Sequence, residues 1–194
     1  MPAPSTDSAI TVRDNFFVLT GASGSGKSSI IAALEHRGFR CVEEMGRQVV
    51  RDEVRAGSKG TPWQDCDRFM ALVFARYVEE FVTMPERQAP VFFDRAIPES
   101  IGSALAAGLP PDPDRLHAAT TLRYNRTVFV TPPWPEIYVT DAERRHTFDE
   151  GVAHHRAELA AYIACGYALL EVPRAPVEDR VAFILQNVSR QHPT

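Results

Sequence analysis

The sequence predicts an α/β fold in which a parallel sheet is covered by helices on both faces. Three observations carry it. Short apolar runs alternate with longer amphipathic segments along the chain. A glycine-rich loop, GASGSGKSS, joins the first apolar run to the first amphipathic segment. No internal repeat or linker-like stretch divides the 194 residues, which suffice for one domain with a substantial core.

The elements follow in order. Phe16 to Thr20, FFVLT, is a short apolar run stopped by Gly21 and reads as a buried strand. Residues 27 to 37 have helical character and end near Gly38. Phe39 to Glu43 is a second strand, and residues 45 to 56 a second helix. Residues 63 to 86 read as one long helix. Its Cys66, Phe69, Met70, Val73, Phe74, Tyr77, Phe81 and Val82 form a wide apolar face, so much of it is expected to be buried. Val91 to Asp94, VFFD, is a third strand. Helices are expected over 97 to 108 and 113 to 123. Thr127 to Val130 is a fourth strand, stopped by TPPWP. Thr140 with Glu143 matches a capping box, opening a helical region to about Cys165. Tyr167 to Val172 is the fifth strand and 176 to 189 the last helix.

Composition narrows the class. The chain is 44% hydrophobic and 24% charged, ordinary for a globular protein. Its net charge of -4 lacks the basic excess of a nucleic-acid binder, so no nucleic-acid partner is expected. No stretch reaches the roughly 20 apolar residues that span a bilayer. Cys41, Cys66 and Cys165 match no metal or disulfide spacing and read as reduced core thiols of a cytoplasmic protein. The opening residues lack an apolar signal-peptide core. Residues 1 to 14 are expected to be a loose tail, and 15 to 194 a single domain.

The loop carries the chemistry. GASGSGKS fits G-x-x-x-x-G-K-[ST] at Gly21, Gly26, Lys27 and Ser28, with a strand before it and a helix after it. Glycines let the backbone turn tightly and bring successive N–H groups to one point. The following helix directs its positive end there. Gly21, Ala22, Ser23, Gly24, Ser25, Gly26, Lys27, Ser28 and Ser29 are therefore the candidate phosphate cradle for ATP or GTP. Lys27 is expected to reach the β/γ-phosphates and Ser28 to ligate Mg²⁺. Lys27 is conspicuous for a second reason: only Lys27 and Lys59 among the 21 basic residues are lysines.

A nucleotide-bound Mg²⁺ needs an acid at the end of a neighbouring strand, and VFFD offers Asp94. The next residue is Arg95, where many motor-type ATPases place a glutamate to orient water. A guanidinium stays protonated and cannot be that base, which shifts weight from hydrolysis towards transfer onto an acceptor. Glu44, at the carboxyl end of the second strand, is the candidate base for an acceptor hydroxyl. Glu43 serves if the register differs by one. Arg47, Arg51 and Arg55 share a helical face. Arg47 lies nearest the strand end and is the candidate acceptor ligand, whereas Arg51 and Arg55 read as solvated or paired with acids such as Glu43 and Asp52. Arg144 and Arg145, within DAERRHTFDE, fit a lid over about residues 136 to 165 that closes on the phosphates. His155 falls on an apolar stripe and reads as a core histidine. Trp63 and Trp134 read as packing residues, with contact to the site as the alternative for Trp134 in the TPPWPEIY loop. Pro173 to Val177 is a loop placed to contact the base.

Several stretches together resemble a known family. They are FFVLTGASGSGKSS, CVEEMGRQVV, VFFDRAIPES, PPWPEIYVTDAERR and GYALLEVPRAPVEDRVAFIL. The chain looks like the AAA-type predicted ATPases grouped with the ribosylnicotinamide kinase domain of a bifunctional NAD-biosynthesis enzyme. The resemblance runs from about residue 16 to 186. It implies a three-layer P-loop kinase core with strand order 2-3-1-4-5, and ATP or GTP with Mg²⁺. The D-R pair is also similar to that of deoxynucleoside kinases, which implies a base at Glu44 and an active-site arginine at Arg95. Relatives often carry glycine after D-R; here it is Ala96.

The expected activity is a kinase transferring the γ-phosphoryl group to a nucleoside-like hydroxyl. An NTPase or a nucleotide-dependent switch protein is the alternative.

Overall fold

A computed structural model describes residues 9–85, 88–110, 112–138 and 147–191. Among the described residues, the alternation read from the sequence becomes one five-stranded sheet and seven α-helices, beside a pair of two-residue strands. The strands are β1 (Phe16–Gly21), β2 (Arg40–Val42), β3 (Val91–Asp94), β4 (Thr127–Thr131) and β5 (Ala168–Glu171). The helices are α1 (Lys27–His36), α2 (Met45–Arg55), α3 (Cys66–Thr83), α4 (Ile97–Ala106), α5 (Pro113–Thr121), α6 (Phe148–Ala164) and α7 (Val177–Gln191). The strands form one sheet in the order β2-β3-β1-β4-β5, which is the expected 2-3-1-4-5. Every pairing in it is parallel.

Alternation along β1 explains the three layers. Phe16 and Val18 point to one face, and Phe17 and Leu19 to the other; all four are buried. Phe16 and Val18 join Tyr77, Phe81, Ile97, Ile101 and Tyr162 in a core beneath α3, α4 and α6. Phe17 and Leu19 join Ile30, Leu34, Val181 and Ile184 beneath α1 and α7. A strand buried on both faces reads as a continuous apolar run, as FFVL does. At about 1.5–3 kcal/mol for each large side chain buried, these two clusters dominate the stability.

Several boundaries depart from expectation. Thr11 and Val12 pair in parallel with Leu122 and Arg123, so this part of the expected tail has an ordered partner. Helix α3 starts at Cys66, where Asp65 caps it by accepting from the Arg68 amide. Its apolar face is divided. Tyr77 and Phe81 enter the core, Phe69 and Val73 line a cavity, and Cys66 and Val82 are exposed. Apolar periodicity locates a face but not the neighbour that covers it. Helix α6 begins with a capping box at Thr147 and Glu150. The box expected at Thr140 and Glu143 lies outside the described residues.

Two features position the site. The carboxyl ends of β1, β2 and β3 open onto the same crevice, because neighbouring parallel strands end together. Helix α6 packs closely on α4 at Gly102, where a Cβ would lie 2.5 Å from the Glu158 Cα. No described helix is long and apolar enough to cross a membrane.

Candidate active site

The glycine-rich loop leaves β1 and enters α1 at Lys27. Gly26 takes φ 84°, and a Cβ there would meet the Arg180 guanidinium at 2.7 Å. The positive φ favours glycine, and a side chain there would also displace the Arg180 guanidinium. The loop is held to the sheet by Ser25, whose hydroxyl donates to the Ala22 carbonyl at 2.6 Å and meets Thr131 Oγ1 at 2.6 Å. Arg180, on α7, donates from Nη1 to the Ser25 carbonyl at 3.1 Å. Its guanidinium lies 5.4 Å from the Trp134 ring centroid.

Lys27 is buried and folds back on the loop, donating from Nζ to the Gly21 carbonyl at 2.8 Å and the Ala22 carbonyl at 3.0 Å. Burial lowers its pKa, and the Arg95 charge lowers it further. Ser28 and Ser29 are exposed and face a cavity of about 810 Å³, as do Ser23, Gly24 and Gly26. That volume lies within the usual range for ligand pockets, about 300–1,000 Å³.

Asp94 ends β3 beside the loop. It is buried, and its Oδ1 has no hydrogen-bond partner among the described residues. Burial pushes its pKa up to about 6. An orphaned carboxylate oxygen and the open Ser28 hydroxyl are hard oxygen donors, so the residues present fit Mg²⁺. That ion usually takes one or two protein oxygens and leaves the rest to phosphate and water.

Arg95 turns the chain with φ 74°, a conformation that non-glycine residues adopt rarely. Its amide donates to the Leu19 carbonyl at 2.9 Å. Three carboxylates meet its guanidinium. Glu44 Oε1 lies 3.5 Å from Nε, Glu158 Oε1 lies 2.8 Å from Nη1, and Glu99 accepts from the same Nη1. Although burial opposes its charge, Glu158, Glu99 and Glu44 raise its pKa well above the ordinary value. Ala96 is extended with φ -156°, so no glycine is required there.

The carboxylates differ among themselves. Glu99 also accepts from Thr20 Oγ1 and Tyr162 OH, each at 2.9 Å. Burial pushes it up to about 7, since Arg95 offsets burial incompletely with Glu158 nearby. Burial acts on Glu158 too, but Arg95 and a 3.1 Å contact from His154 Nδ1 prevail and hold it at about 2. For Glu44, the charges of Arg95, Lys27 and Arg47 outweigh burial and lower its pKa.

The sequence left two acids after the second strand open. Glu43 is 64% exposed and pairs with Arg51 at 3.1 Å, away from the crevice. Glu44 is 24% exposed, lines the cavity and accepts from Arg47 Nε at 3.1 Å. Arg47 lines the cavity as well, while Arg55 pairs with Asp52. Arg144 and Arg145 lie outside the described residues. The cavity is also lined by the apolar side chains of Val50, Phe69, Met70, Val73 and Trp63.

Trp63 is therefore a cavity residue and not the packing residue expected; it is 45% exposed. Sequence reasoning missed Glu99, Glu158, His154 and Arg180 altogether. A signal existed for three of them: Glu99 with Arg95, and His154 with Glu158, are spaced i, i+4. Nothing in the sequence brings the second pair to the first.

A family model described as an AAA domain matches residues 16–180. The chain belongs to this AAA domain family. None of the curated proteins matches the sequence significantly. Solved structures with a similar fold include three kinases. A deoxyadenosine kinase from M. mycoides is 11% identical with TM-score 0.61, covering 90% of this chain and 98% of its own. A thymidylate kinase from Candida albicans is 12% identical with TM-score 0.65, covering 92% of each chain. A shikimate kinase from Acinetobacter baumannii, in complex with shikimate, is 14% identical with TM-score 0.57, covering 92% and 95%. At such identities the likeness is one of fold. The AAA domain here thus shares the α/β fold of these kinases, with Lys27 at the start of α1, Asp94 and Arg95 at the end of β3, and Glu44 just beyond β2.

Proposed function

We propose that this protein is a kinase that transfers the γ-phosphoryl group of ATP or GTP to a hydroxyl of a small, nucleoside-like acceptor. The observation that carries this reading is a cavity of about 810 Å³ lined together by the glycine-rich loop, Glu44, Arg95 and the apolar side chains of Val50, Phe69, Met70 and Val73. A hydrolase needs room for water; this cavity has room and apolar surface for an organic acceptor.

In this reading the loop amides of residues 21 to 29 and Lys27 hold the triphosphate. Ser28 and Asp94 would hold Mg²⁺, which would supply neutralisation of the phosphate charge. Glu44 accepts the acceptor hydroxyl proton as the new O–P bond forms and the bond to the leaving ADP or GDP breaks. Arg47 orients the acceptor. Arg95 keeps Glu44 ionised and in place. Arg144 and Arg145, as lid residues, close on the transferring group. Kinship with the ribosylnicotinamide kinase domain is part of the proposal. A cytoplasmic setting suits the free cysteines Cys41, Cys66 and Cys165.

The test is incubation of the purified protein with Mg²⁺, γ-labelled ATP or GTP and a metabolite pool, followed by separation of labelled products. A labelled phosphoester supports the kinase. Label confined to the nucleotide and inorganic phosphate, with nucleotide binding intact, replaces it with the NTPase or switch reading.

A further inference from the structure

A second cation stands against the glycine-rich loop. Lys27 lines the cavity together with Ser23, Gly24, Gly26 and Ser28. Arg180, from α7, does not line the cavity and approaches the loop from behind. Its guanidinium donates to the Ser25 carbonyl at 3.1 Å and rests 5.4 Å from the Trp134 ring centroid. A Cβ at Gly26 would lie 2.7 Å from Arg180 Nη1, so the charge sits directly against the loop backbone.

Arg180 differs from Arg95 in its compensation. Arg95 is shared by three carboxylates. Arg180 is 5% exposed, and its Nε is buried without a hydrogen-bond partner. Among the described residues no carboxylate pairs with it; burial alone acts on its pKa, and lowers it. A buried charge without a counter-charge is costly. The cation–π contact with Trp134 offsets part of that cost. An anion bound in the loop would offset more of it.

The loop also provides the route by which Arg180 reaches such an anion. The Ser25 carbonyl and the Gly26 N–H belong to one peptide group. A charged donor at the carbonyl polarises that group and strengthens its N–H as a donor. The Gly26 N–H is one of the loop amides read as the phosphate cradle.

We propose that Arg180 is a positioning residue for the polyphosphate of the nucleotide. It fixes the Ser25–Gly26 peptide, and its charge favours an anion on the far side of the loop. Trp134 holds the guanidinium in that place. The role rests on the reading of the loop as the phosphate cradle, and not on which group receives the phosphoryl.

The experiment uses the full chain with Mg²⁺ and measures binding of ATP and of inorganic triphosphate, which has no base to bind elsewhere. Arg180→Gln keeps a hydrogen-bond donor and removes the charge. It is expected to weaken both ligands about tenfold or more, since a desolvated charge is lost from beside an anion. Arg180→Lys keeps the charge and is expected to bind both at least about threefold more tightly than Arg180→Gln. Without ligand, Arg180→Gln should melt within a few degrees of the wild type, because the charge it removes is uncompensated there. Wild-type affinity in a folded Arg180→Gln protein overturns the proposal. So does Arg180→Lys binding no better than Arg180→Gln, which would leave Arg180 a packing residue of the loop. Should Arg180→Gln not fold, the emission of Trp134 in a Trp63→Phe protein decides. Inorganic triphosphate is expected to shift it by cancelling part of the guanidinium field at the ring; binding without a shift overturns the proposal. A wild-type protein that binds neither ligand at millimolar concentration overturns the proposal together with the phosphate reading of the loop. Charge-dependent binding without label transfer to any acceptor removes the kinase reading and leaves the role of Arg180 standing. Label transfer with unchanged affinity in Arg180→Gln does the reverse.

Discussion

Arg95 and Glu158, 63 residues apart in the chain, meet at 2.8 Å between Nη1 and Oε1. The contact ties the turn after β3 to α6 and places a buried acid beside the candidate base Glu44. Gly102 makes it possible, because its missing side chain lets α6 approach α4. Gly102→Ala should push α6 outward by overpacking, costing about 1–3 kcal/mol of stability. It should also raise the acceptor KM more than the ATP KM. Thermal unfolding and steady-state kinetics check this; an unchanged melting temperature with unchanged kinetics would sink the packing argument.

Lys27→Ala should lower phosphoryl transfer at least about a hundredfold, the scale for losing one preorganised charge contact in a transition state. The measurement is label transfer at saturating nucleotide. A variant with near wild-type turnover refutes the assignment of the loop lysine.

Glu44 and Glu43 should separate cleanly. Glu44→Gln removes the proposed base and should lower kcat by about 10²–10⁴-fold. Glu43→Gln breaks only an exposed pair with Arg51 and should alter kcat and stability little. Equal effects of the two substitutions would overturn the choice of Glu44.

Arg144→Ala should lower kcat more than it weakens nucleotide binding, since a lid arginine acts on the charge that develops during transfer. Equilibrium titration with a fluorescent nucleotide analogue, set beside turnover, distinguishes the cases. Weakened binding at unchanged kcat contradicts the lid role.

Two buried groups should give opposing pH dependences. Glu99 is pushed up to about 7 by burial, against an ordinary value of 4.5. Between those values the folded state keeps a proton the unfolded chain has released, so this group lowers stability as pH rises. His155, 4% exposed, is lowered by burial to about 4 from an ordinary 6.5. There the unfolded chain takes up the proton, so stability falls as pH drops through that window. Glu99→Gln removes the first slope and leaves the second. Its melting temperature should fall more steeply than the wild type's between about pH 6.5 and 4.5. Parallel curves would show that Glu99 does not titrate there.

Much of this was legible in the residues. The run FFVL, buried on both faces, announced a central strand of a parallel sheet, and GASGSGKSS placed a glycine-rich turn into a helix at its end. These signals are local: a strand's burial shows in four adjacent residues, and the turn's geometry follows from glycines and a helix start. Even the burial of His155 followed from periodicity along its own helix. The sequence by itself therefore determined the fold class, the strand order implied by the family resemblance, and the loop. Only the tertiary structure decided which of Glu43 and Glu44 faces the crevice, that Phe69, Val73 and Trp63 line a cavity, and that Glu99 and Glu158 converge on Arg95. The reason is physical. A helix face has a sequence period, but the partner that covers it lies tens of residues away, and so does the charge that completes a buried ion pair.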